Sequence, residues 1–402
     1  MQAYESTPLA DVLTAATPWQ KVVGAWLRKQ AGAELFGMPG YRFTLKGRVP
    51  DGFLATPHDG RPANALLGKA ILSGRYTLAN ARMSVQGSGD PWNRASPTRA
   101  FAIELHRFSW LPHLMTQGDE GAKEAVRLFL LWQKTFRSWT PFTWGEEVLS
   151  RRLITLSIFA RRLSTAAQPW EAHALAQSLA EQGRHLLRLH NNAAYQASRA
   201  VALVAIGCVL SGSVGDGFRR KGLKRLPKAL RRSLFSDGSP VSRSPEQGLE
   251  LLYDLLLLVD GLSQRSQAVP DYIEAHIERL SRFVRTLSHP DGSLVSFQGS
   301  EALLEDQIAP ALTHTEAKAG ATLPNVLEQG RYHRMLGRSL SVYVDAGEAK
   351  GGDFGFAACD YPMAFEIWRT RQADRLARLV AGAVRSAGVS RYRRRQYTDP
   401  GR

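Results

Sequence analysis

Residues Ser236–Asp260 read SDGSPVSRSPEQGLELLYDLLLLVD, and the fold class turns on this stretch. Asp237-Gly238 signals a turn that leads to Arg243. Ser244 suits an N-cap, Pro245 suits the first helical position, and Gln247 completes a Ser-x-x-Gln capping box. The helix that follows is apolar nearly all round, broken only by Glu250 and Asp254. A helix of that kind is buried on several sides. The chain therefore needs other helices to surround it, with Arg243 on a loop at its mouth.

Those helices are present on both sides. Upstream, Lys123–Phe136 is apolar at Val126, Phe129 and Leu130. Thr143 and Glu146 have the spacing of a capping box before a helix with Leu149, Leu153, Leu156, Phe159 and Leu163 on one face. Trp170–Leu189, Tyr195–Leu210, a basic helix at Leu223–Leu234 and Tyr272–Leu287 complete the series. Short turns join them, and apolar members alternate with more polar ones. This predicts stacked helical hairpins in two layers, an α/α toroid. No fixed-period repeat supports a solenoid instead.

The ends read differently. Pro18–Gln30 has a helical apolar face, and LLGKAILSGRYTLA within the glycine-rich stretch 35–92 predicts short strands. After Pro290, Ser293–Phe297 and Ser339–Val344 alternate like strands. The sequence divides into a mixed cap at 1–98, a helical domain at 99–315, the start of a β-domain at 316–368, and a basic tail at 369–402. The expected class is mainly α: an incomplete α/α toroid followed by the start of a β-sandwich. A full sandwich needs about 100 residues, more than the chain has left.

The formal charge of +16 favours polyanionic partners. Ten arginines and two aspartates from Arg369 to Arg402 supply half of it. Nucleic acid is the weaker partner, because only Tyr392 and Tyr397 interleave the tail with aromatic rings. Cys208 and Cys359 form no disulfide framework or metal-ligand spacing. MQAYESTPLADVL lacks the basic and apolar regions of a secretory signal, and no apolar run reaches spanning length. No cofactor is expected.

Four segments, in order, resemble the bacterial branch of the heparinase II/III-like polysaccharide lyases. They are AIELHRFSWLPHL (Ala102–Leu114), the 236–260 stretch, LSHPDGSLVSFQGS (Leu287–Ser300) and RYHRMLGRSLSVYVDAG (Arg331–Gly347). The resemblance covers Pro91 to Trp368 and stops after Phe365-Glu366-Ile367-Trp368, which reads as a truncated β-domain. It implies a helical toroid with a β-sandwich, placed in the periplasm or cell envelope. It also implies β-elimination beside a uronic acid. That reaction needs a group to neutralise the carboxylate, a base for the C5 proton and an acid for the leaving oxygen.

Carried over position by position, the family's Asn-His pair falls on Ala194-Tyr195, with Asn191 and Asn192 about a turn earlier. Tyr195 then becomes the proton-transfer group and Asn192 the carboxylate contact. The alternative for the asparagines is a capping or turn role. In the loop, a family histidine falls on Pro240, Arg243 is retained, and a family tyrosine falls on Glu246 or Gln247. A third histidine falls on Cys359. Arg243 and Arg199 are the substrate-binding candidates; pairing of Arg243 with a helix carboxylate is the structural alternative. His106, His190, His289 and His333 are further candidates for a base, each with an ordinary surface or core reading. Two functions follow: a lyase acting on an acidic, uronate-containing polysaccharide, or a non-catalytic or truncated relative that only binds such a polymer.

Overall fold

The computed structural model describes residues 32, 34–85, 89–189, 193–298, 300, 303–313, 323–337, 340–347 and 364–369. Asn191, Asn192, His190, Cys359, the stretch 18–30 expected to be helical and the arginine-rich stretch after Arg369 lie outside them. The chain is mainly helical with a small antiparallel sheet at its C-terminal side.

A short helix α1 (Tyr41–Leu45) and helix α2 (Ala65–Leu72) come first. They are followed by a hairpin of β1 (Arg75–Leu78) and β2 (Ala81–Ser84). LLGKAIL is thus helical, not a strand. Asn64 accepts from the backbone of Leu66 and Leu67 and starts the helix locally. Then come α3 (Arg99–Arg107), α4 (Leu111–Met115) and α5 (Gly118–Phe136). Trp92, Phe108, Trp110 and Trp132 bury their rings among these helices.

The central hairpins are α6 (Glu146–Ala166) with α7 (Pro169–Arg188), α8 (Gln196–Val209) with α9 (Gly212–Ser233), and α10 (Pro245–Gln264) with α11 (Asp271–Thr286). α8 packs on α6 and on α10, so these three form the inner layer. Its Val201–Ile206 run is at most 1% exposed. The hairpin α8–α9 is tight because glycines line it. A Cβ on Gly222 would lie 2.8 Å from the Val204 nitrogen and 3.1 Å from the Ala200 oxygen. Pro227 inside α9 has no N–H for the Leu223 carbonyl, and the Tyr272 hydroxyl of α11 reaches that carbonyl at 3.5 Å instead.

The predicted cap of α6 is corrected. Gly145 is its N-cap, Thr143 bonds to Thr140 Oγ1, and Glu146 is drawn away to an arginine described below. The reciprocal capping box belongs to α7, between Gln168 and Glu171. At α10 Ser244 is the expected N-cap and accepts from Gln247 N at 3.3 Å, which is one half of the expected box.

After α11 the 293–297 segment forms only an isolated bridge, Ser288 with Leu294, not a strand. Its backbone is taken up by turns: Asp291 accepts from Ser293 N, and His289 N donates to Ser293 O. Helix α12 (Glu305–Thr313) precedes β3 (Val326–Leu327), β4 (Tyr332–Leu336), β5 (Leu340–Asp345) and β6 (Ala364–Arg369). They pair in sequence order, all antiparallel, as a partial β-sandwich.

Candidate functional site

Charged residues gather in two clusters along the inner layer, and the centre of the first is Asp254 on α10. Asp254 is fully buried and accepts from Arg61 Nη2 at 2.6 Å and Arg151 Nη1 at 2.7 Å. Glu250, one turn earlier, pairs with the same two arginines at 3.2 and 3.1 Å. Asp59 holds the other side of Arg61 at 2.9 Å, and the Arg61 guanidinium sits 5.0 Å from the Tyr253 ring centre. Burial alone would raise the Glu250 carboxyl, but Arg61 and Arg151 outweigh it and hold it at about 2. The i, i+4 spacing of Glu250 and Asp254 puts both on one face. These are the two residues that interrupt the apolar pattern of α10, so the signal was present in the sequence. Their partners, 189 and 103 residues away for Arg61–Glu250 and Arg151–Asp254, were not.

A second cluster lies at the end of α3 and the starts of α6 and α8. Arg107 pairs with Glu104 at 2.7 Å and Glu147 at 3.4 Å, and Ser109 donates to Glu104. Arg199 pairs with Glu146 at 3.0 Å and also donates to the Leu189 carbonyl at 3.0 Å. Arg199 is buried and Glu146 nearly so, and among the described residues Glu146 Oε2 has no hydrogen-bond partner. Burial lifts the Glu146 carboxyl to about 7 against the pull of Arg199. Tyr195, the N-cap of α8, is half-buried. Burial raises its phenol, Glu147 adds to the rise, and Arg107 opposes it.

Arg243 takes a separate position. Its φ is 62°, a left-handed conformation that few non-glycine residues adopt. The side chain is 4% exposed and runs to the β-sheet. There it forms a bidentate pair with Asp345 of β5, donates to the Gly330 carbonyl at 2.6 Å and lies 4.8 Å from the Tyr332 ring centre. Asp237 braces the same seam by accepting from Gln329 N and Gly330 N.

The structure therefore brings Tyr195, Arg199 and Glu146 together at one end of α8, and seats Arg243 against the sheet. Asn192 lies outside the described residues. His106 is a core residue whose Nδ1 accepts from Trp132 Nε1 at 3.1 Å, and burial pushes it down to about 3. His289 is buried beside the Tyr343 ring. Cys208 is fully buried, and burial lifts its thiol to about 11. Among the described residues no group of histidine, cysteine and acidic side chains has metal-holding geometry, and no helix is long and apolar enough to cross a membrane.

No known protein-family profile matches the chain. It is 39% identical over 360 residues to FtsZ-localized protein C of Caulobacter vibrioides (strain NA1000 / CB15N), across 90% of this chain and 62% of that protein. The chain thus spans less than two thirds of that relative. Among solved structures it is similar to a mutant of heparan sulfate lyase HepC from Pedobacter heparinus, with 16% identity and a TM-score of 0.50 over 95% of this chain and 67% of that one. The heparinase III-BT4657 gene product gives 15% identity and a TM-score of 0.51 over 91% and 65%. At such identities the likeness is one of fold: the chain folds like the heparinase-III-type lyases.

Proposed function

We propose that this chain is a lyase-fold protein that works alongside FtsZ and does not cleave polysaccharide. The observation that carries this reading is the internal commitment of the arginines. Elimination needs a free cation for the uronate carboxylate, yet Arg199 is tied to Glu146 and Arg243 to Asp345, both buried. The histidine positions implied by the family resemblance hold Tyr195 and Pro240 among the described residues. A proline has no proton to give. The name of the 39% identical relative supports the partner and the place, at the site where FtsZ assembles. We carry the unit boundaries with this reading: 99–315 as the helical scaffold and 316–368 as the sheet unit braced by Arg243.

Two measurements test it together. Purified FtsZ from the same organism should bind the immobilised chain, and a fluorescent fusion should coincide with FtsZ in cells. Uronate polymers of the heparan and alginate types should give no ultraviolet absorbance from an unsaturated product. Product formation, with no FtsZ binding, overturns the proposal.

One observation favours a second reading, in which the chain is a lyase on an acidic, uronate-containing polymer in the cell envelope. Glu146, held near neutrality beside Tyr195, supplies a carboxyl that can both give and take a proton at pH 7. Tyr195 then transfers the proton, Asn192 meets the substrate carboxylate, and Arg199 and Arg243 bind the polymer. This reading requires a product signal that disappears in Tyr195→Phe.

A further inference from the structure

We infer that the outer face of α9 is the surface on which an acidic part of FtsZ docks; this rests on the FtsZ reading above and adds the surface to it. Arg220, Lys221, Lys224, Lys228 and Arg231 are all exposed on this helix, and none makes an ion pair among the described residues. Arg225 and Arg232, on the same side, are exposed and reach only neutral oxygens, Leu187 O at 3.4 Å and Gln196 Oε1 at 3.3 Å. At 3.6 residues per turn these side chains fall within an arc of about 140°. The opposite face is closed, because Phe218, Leu226, Ala229 and Leu230 are buried. The helix cannot rotate to hide its charge without exposing that core.

The kind of partner follows from what the face lacks as well as from what it carries. Among the described residues no large apolar or aromatic side chain of α9 is exposed. The face therefore has no wedge to insert into a bilayer and no ring on which single-stranded bases could stack. What remains is a ladder of cations about 6 Å apart along each i, i+4 row. Carboxylates on alternate residues of an extended segment recur at about 6.7 Å, and those one turn apart on a helix at about 6 Å. An acidic protein segment thus matches the ladder in sign and spacing. Attraction of this kind sets encounter rate and register, and it weakens with salt.

The experiment uses the full chain, immobilised, with purified FtsZ from the same organism as the probe. The variant is Lys221→Glu/Lys224→Glu/Lys228→Glu, whose sites are exposed and whose fold is checked by thermal unfolding. Affinity for FtsZ should fall roughly ten-fold or more, and wild-type binding should weaken steeply with added salt. Lys134→Glu, at an exposed lysine of α5 away from this face, should leave FtsZ affinity unchanged. A wild-type chain that fails to bind FtsZ ends the functional reading and this inference with it. FtsZ binding that survives the triple variant ends this inference alone and leaves the reading standing. A short DNA duplex and vesicles containing phosphatidylglycerol are run beside it. If the triple variant loses either of these while keeping FtsZ, the face belongs to phosphate and the inference is overturned.

Discussion

The arginines packed inside the chain and the cations on the outer face of α9 treat charge in opposite ways. Inside, Arg61, Arg107, Arg151, Arg199 and Arg243 each have a carboxylate within salt-bridge distance. On α9, Arg220, Lys221, Lys224, Lys228 and Arg231 have none among the described residues. The reason is the dielectric. A buried guanidinium loses several kcal/mol of hydration and must recover it from a partner, whereas a lysine in water loses nothing. Net charge therefore locates nothing by itself. The paired cations hold the fold, and the exposed, unpaired ones on α9 are available to a partner.

The largest effect expected from breaking this contrast is at its centre. Asp254→Ala leaves Arg61 and Arg151 facing each other without their buried counter-ion, and should cost about 3–5 kcal/mol. Urea unfolding measures it. A loss below about 1 kcal/mol would mean that Glu250 alone can balance both arginines.

The seam between helices and sheet comes next. A methyl group on Gly347 would collide with the Arg243 guanidinium. Gly347→Ala should cost about 1–3 kcal/mol, as expected when a packed site is overfilled. Limited proteolysis should then cut within 323–347 sooner than within the α6–α11 hairpins. Equal protection in both regions would show that the pair is not what anchors the sheet.

Glu146 sharpens the contrast through pH. Its carboxyl stands at about 7 in the folded chain, above its ordinary value, because burial disfavours the anion. The folded state thus holds more protons than the unfolded one between the two values. Stability contributed by this group is present below the unfolded pKa and is lost as pH rises toward 7, with a slope of at most about 1.4 kcal/mol per pH unit. Unfolding free energies from pH 4.5 to 8 should fall in that window in the wild type. Glu146→Gln should flatten the slope, and an unchanged slope would assign the titration elsewhere.

The smallest effect belongs to α9. Lys224→Glu should change stability by less than about 0.5 kcal/mol, because an exposed lysine without a partner holds nothing together. A loss above about 1 kcal/mol would show that this face is structural after all.

Much of the helical layer was legible in advance because its signals are local. The Ser244 cap, the apolar run of α10 and the three-and-four spacing in α6 each act within a few turns. Where local signals misled, a longer contact had prevailed. Glu146 left the capping box expected with Thr143 and turned to Arg199, 53 residues on. Ser293–Phe297 alternates like a strand, but the Asp291 turn bends it and no neighbouring strand pairs along it. The α7 box was hidden because glutamine is a poor cap on its own and works here through Glu171.

The sequence by itself determined the helix order, the burial of α10, the basic character of α9 and the presence of a sheet after α11. Each depends on periodicity, caps or composition, which are read within one element. Tertiary structure alone decided which charges were neutralised. Arg243 could have faced a polymer or a carboxylate, and only the fold brings Asp345 to it across 102 residues. A charge pattern records its sign but not its partner, and desolvation in the folded chain forces the choice of partner.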